Sequence, residues 1–82
     1  MCLGVPGKIL TIKDSANLLA TVEVAGVKRD INIAFIVDKS HAPADCIGDW
    51  VLVHVGFAMA RIDEREAAEM LTMLSELGEL PL

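Results

Sequence analysis

The segment Gly48-Asp49-Trp50-Val51-Leu52-Val53-His54-Val55-Gly56 constrains the fold of this chain more than any other stretch. Val51, Val53 and Val55 point one way and Trp50, Leu52 and His54 the other, so the segment reads as a strand that is largely apolar on both faces. Such a strand belongs in the middle of a structure. Its companions are weaker but consistent. Lys8 to Lys13 reads as a first strand, closed by the turn-rich Asp14-Ser15-Ala16-Asn17. Thr21 to Val24 alternates polar and apolar, and Ala25-Gly26 offers a tight turn because glycine tolerates the positive φ such turns need. From Val27 to Ile33 the alternation resumes, with Val27, Ile31 and Ile33 on one face and Lys28, Asp30 and Asn32 on the other. Ser40 to Gly48 reads as a loop, and Phe57 to Ile62 as a further short strand.

A different periodicity takes over at Asp63. This residue type suits an N-cap, and Glu66 three positions on would complete a capping box. Ala67, Met70, Leu71, Leu74 and Leu77 then form one helical stripe, with Gly78 as a natural C-cap. Short strands followed by one helix indicate a mainly β fold: a small closed barrel carrying a C-terminal α-helix, nearest to the oligonucleotide-binding architecture. Without repeats or linkers, residues 1–82 read as a single domain, with the barrel and an N-terminal tail over 1–62 and the helix over 63–78. Such a fold does not by itself specify a ligand.

A domain of 82 residues buries little of its surface, yet 54% of this chain is hydrophobic, so part of the aliphatic surface is expected to meet a partner. The net charge of −5 and the three aromatics argue against nucleic acid or an anionic membrane as that partner. No membrane span or signal-peptide pattern is visible, and two cysteines, Cys2 and Cys46, do not make a disulfide framework. A cytoplasmic chain with reduced thiols is expected.

Few residues carry chemistry. Cys2 stands first: removal of Met1 would give it a free α-amine beside a soft thiolate, a pair suited to iron, zinc or copper(I). Val5-Pro6-Gly7 stiffens the backbone behind it as a turn. His54 interrupts an otherwise aliphatic strand, and imidazole with thiolate forms a sensible metal pair, though two ligands fall short of a closed site. Cys46 and His41 share a loop and would make another pair, with no second pair to complete it. Met70 belongs to the helical stripe, whereas Met73 at its edge is the better contact residue. No phosphate-binding glycine loop, triad or carboxylate pair is present, so a self-sufficient enzyme is not expected.

Met1-Cys2-Leu3-Gly4-Val5-Pro6-Gly7 and the run from Gly48 to Ala58 together resemble the two signatures of the HypC/HupF/HybG family of [NiFe]-hydrogenase maturation chaperones. The turn around Gly26 and the acidic start of the helix also fit. The resemblance implies a five-stranded barrel and a part in delivering iron that carries cyanide and carbon monoxide, the Fe(CN)2CO unit. It implies two partners, the iron–sulfur accessory protein HypD and the hydrogenase large-subunit precursor. Cys2 would hold iron and contact both, and His54 would be a second metal ligand; together with the contact residue read from the helix edge, Met73, the stretch Cys2, Leu3, Gly4, Val5 and Pro6 would form the partner surface. The alternative is an adaptor whose Cys2 never touches iron. Ala25 stands where some relatives have cysteine, and Cys46 is an extra thiol.

Overall fold

The computed structural model describes residues 4–77; Met1, Cys2, Leu3 and Gly78 lie outside them, as does the side chain of Leu77. Five strands run β1 (Val5–Asp14), β2 (Leu19–Val24), β3 (Val27–Asn32), β4 (Trp50–His54) and β5 (Phe57–Ile62). They close into a barrel in the order β1-β2-β3-β5-β4, followed by α1 (Glu64–Leu77). The expected architecture is therefore present.

The barrel depends on the length and bending of β1. This strand pairs antiparallel with β4 over Val5–Lys8 and with β2 over Lys8–Asp14. Register shifts between Ile9 and Thr11 and between Ile12 and Asp14 bend it, as bulges do in small barrels. Its start corrects the sequence reading: Val5-Pro6-Gly7 is not a turn but the first part of the strand. Pro6 can sit there because it faces Leu52 of β4 before the pairing with β2 begins, so its missing N–H costs little. Gly7 is needed there because a β-carbon would lie only 3.0 Å from Cγ2 of Val24 and 3.2 Å from Cγ2 of Val53.

Ile9, Val22, Ile31, Ile33, Val51 and Ala58 fill the interior. They come from the apolar face of each alternating strand, as the period of two requires. The opposite face of β2 and β3 is polar: Thr21 Oγ1 donates to Asp30 Oδ1, and Lys13 pairs with the same carboxylate. The helix packs on β1 and β4 through Ala67, which is fully buried, with Met70, Leu71 and Leu74 half-buried. Its capping box is formed as the sequence predicts, Glu66 N–H donating to Asp63 Oδ1 at 2.7 Å and Asp63 N–H to Glu66 Oε1 at 3.4 Å.

Two further readings are corrected. The loop from Ser40 to Gly48 contains a short 3-10 helix, Pro43–Cys46, and buries Cys46 in the core. Val55 does not continue β4 on the face of Val51 and Val53. Its φ is +50° and that of Gly56 is +81°, so the pair forms the hairpin turn into β5 and leaves Val55 80% exposed. Ala25-Gly26 makes the same kind of turn, with φ values of +51° and +84°. Consecutive left-handed residues match the twist of the flanking strands, which is why two-residue hairpins use them.

Candidate functional site

β1 begins beside the end of β4. Val5 lies opposite Val53, and the β-carbon position of Gly4 is 3.4 Å from the carbonyl oxygen of Val53. The segment bearing Cys2 therefore joins the barrel at the rim where His54 ends β4. Cys2 and Leu3 themselves lie outside the described residues.

At that rim His54 is exposed, not part-buried as a lone histidine on an aliphatic strand would suggest. The alternation that turns Val51 into the barrel interior turns His54 outward, and the hairpin that follows leaves its imidazole open to solvent. Directly across the ladder stands Phe57, 41% exposed, whose ring packs against Phe35 at 5.6 Å between centroids. Phe35 is itself 64% exposed. The rim thus brings one exposed imidazole together with the exposed apolar side chains of Val55, Phe57 and Phe35.

The remaining expected contact residues are distributed unevenly. Gly4 and Val5 are half-buried at the rim, while Pro6 is fully buried and shapes the barrel wall behind it. Met73 is well exposed on α1, a different element. Met59, also exposed, sits where the β4–β5 register shifts, Leu52 facing Ala60 and Val53 facing Ala58. Phe35 and Val55 were not singled out from sequence. The signal for Val55 was the Val-Gly pair at the end of the β4 run, which parallels Ala25-Gly26; nothing local marks Phe35, which the chain delivers from beyond β3.

A second group lies at the other end of β4. His41 Nε2 is 3.0 Å from Asp49 Oδ2, and Cys46 is buried beneath them. Burial, and next the Asp49 carboxylate, push the Cys46 thiol pKa up, while Arg61 pulls the other way. The cysteine and histidine were recognisable in the sequence as a pair; Asp49, three residues past the cysteine, was not.

No helix among the described residues is long and apolar enough to cross a membrane. The HupF/HypC family matches over residues 1–74. The chain is 53% identical over 77 residues to hydrogenase maturation factor HybG of Escherichia coli K12, covering 94% of this chain and 92% of that protein. It is 48% identical over 79 residues to hydrogenase maturation factor HypC of Rhodobacter capsulatus, covering 96% of this chain and 80% of the other. Against HypC of Escherichia coli K12 it is 42% identical over 80 residues, covering 98% and 86% respectively. The match spans both the strand start that carries the tail and the β4–β5 hairpin, and on that footing the chain belongs to the HupF/HypC family.

Proposed function

We propose that this protein is a hydrogenase maturation chaperone, a carrier and not a catalyst, that helps deliver an Fe(CN)2CO unit to the large-subunit precursor. The observation that carries the reading is the shared rim. The chain enters the barrel at Gly4 next to the end of β4, where His54 is solvent-exposed. Two residues of chain span about 7 Å at most, so covalent connectivity tethers Cys2 to this end of the barrel. A thiolate and an imidazole give iron two protein ligands, too few for a closed site, which leaves the remaining positions for its own ligands and for the receiving protein. The relatives' names as hydrogenase maturation factors support the same role.

The partners in this reading are a HypD-type iron–sulfur protein and the large-subunit precursor, both meeting the Cys2 tail. The exposed rings of Phe35 and Phe57, with Val55 and Met73, supply apolar docking area in an otherwise acidic protein. The setting is the cytoplasm.

Anaerobic copurification from a native host, comparing wild type with Cys2→Ala, tests this. Iron with infrared bands of CO and cyanide, and both partners, should accompany wild type and be lost from the variant. Partners without iron in wild type would leave an adaptor; maturation and partner binding unaffected by Cys2→Ala would sink the proposal. His54→Ala should lower iron retention while leaving the melting temperature nearly unchanged, because an exposed side chain contributes about 0.5 kcal/mol or less.

A further inference from the structure

We propose that His41, Cys46 and Asp49 form a binding site for a zinc-class divalent cation, separate from the rim and serving to clip the 38–49 loop to the start of β4. The imidazole, thiol and carboxylate each offer one donor atom, and all three donors lie within 4.8 Å of one another. Bonds of about 2.0–2.3 Å from a tetrahedral zinc to N, O and S ligands set the donors roughly 3.3–3.7 Å apart. The widest gap therefore needs to close by about 1 Å, while the 3.0 Å His41–Asp49 contact needs only to open slightly.

The surroundings fit an ion of this class. A mixed N, S and O donor set suits zinc, cobalt(II) or iron(II) better than magnesium or calcium. Asp49 and a Cys46 thiolate carry two negative charges that a dication neutralises, with His41 as a neutral ligand. Binding releases the Cys46 thiol proton to solvent and involves no oxidation. Among the described residues, Cys46 Sγ has only a weak contact of its own, 3.7 Å to the carbonyl oxygen of Ala42. The side chains of His41 and Asp49 are 22% and 33% exposed, so two of the three donors border solvent while the sulfur lies buried.

The backbone already holds these groups in place. Gly48 N–H donates to the carbonyl of Ile9, Ile9 N–H to that of Asp49, and Asp49 N–H to that of Cys46. Asp38 and His41 exchange backbone bonds at the other side of the loop. Along β4 the site is separated from His54 by five residues, about 16 Å of strand, so the two sites are distinct. Three protein ligands leave a fourth position for water.

The test is a cobalt(II) titration of the full-length Cys2→Ala chain under reducing, anaerobic conditions, where Cys46 is the only thiol left. A thiolate-to-cobalt charge-transfer band should grow to one ion per chain and be displaced by zinc. Cys46→Ala should abolish it, and His41→Gln and Asp49→Asn should each weaken binding about tenfold or more. At equal zinc concentration the melting temperature of Cys2→Ala should rise more than that of Cys2→Ala with His41→Gln. No band in Cys2→Ala, or a band of unchanged affinity in both His41→Gln and Asp49→Asn, overturns the assignment. His41→Gln and Asp49→Asn change partly exposed side chains outside the hydrophobic core, so they decide the matter even if Cys46→Ala folds poorly.

Discussion

Replacing Gly7 with alanine should destabilise the barrel, and the size of the loss follows from the space around it. A β-carbon there would lie 3.0 Å from Cγ2 of Val24, 3.2 Å from Cγ2 of Val53 and 3.4 Å from the carbonyl oxygen of Glu23. Carbon pairs are most stable at about 3.5–4.0 Å with wells of about 0.1–0.2 kcal/mol; on a 6–12 curve, compression to about 3.0 Å costs roughly 1–2 kcal/mol. The second valine adds about 0.3 kcal/mol on the same curve. Both valines are stiff at χ1 and sit on paired strands, so they yield little. Alanine also restricts the unfolded chain, which offsets about 0.4–1 kcal/mol. The net loss is about 1 kcal/mol, or roughly 4–8 °C in melting temperature for a chain of this size. Gly4→Ala is the control, because its nearest neighbours would stand at 3.4, 3.5 and 3.8 Å, ordinary contact distances. Thermal unfolding followed by circular dichroism should rank Gly4→Ala at or above wild type and Gly7→Ala below it. If Gly7→Ala melts with Gly4→Ala, the packing argument is wrong.

Asp63→Ala removes the acceptor of the capping box and should cost about 1 kcal/mol, with Asp63→Ser restoring most of it in the same melting assay. Val55→Asn relieves a β-branched residue held at φ +50° while losing almost no burial; it should raise the melting temperature by about 4–8 °C for each kcal/mol of strain removed. Burial and Asp49 hold the Cys46 thiol pKa above its ordinary 9.0, so the folded state keeps a proton that the unfolded chain releases. That contribution is complete below 9.0 and is lost as pH rises above it, so between about pH 8 and about pH 10 the urea midpoint should fall more for wild type than for Cys46→Ala.

The barrel was legible because alternation is a local signal and each strand here keeps one apolar face. The capping box at Asp63 and Glu66 and the Ala25-Gly26 turn were legible for the same reason: each is a short-range arrangement of few residues. What escaped local reading depends on the closure of the sheet. Pro6 and Gly7 look like a turn in isolation, but pairing with β4 draws them into a strand and gives Gly7 a packing role. His54 reads from its strand only as one imidazole among aliphatic residues; its exposure follows from the hairpin turn directly after it. Asp49 reads as the polar lead-in to a strand; only the folded loop brings it to His41. Phe35 reaches Phe57 through tertiary packing, which periodicity does not report.

The barrel is joined unevenly. β1 shares long ladders with both its neighbours, whereas β3 and β5 meet in parallel at the one pair Asn32–Phe57, supported by the Asn32 N–H bond to the carbonyl of Gly56. That pair is the seam of the cylinder, and it lies directly beneath the hairpin that carries His54. Where few ladder bonds hold two edges, local opening takes the least free energy, so amide exchange at Asn32 should outpace exchange at Val22 and Val51. The sheet is thus expected to open first at the mouth and last along its spine, and under the proposed role as an iron carrier that would place the softest joint beside the site of release.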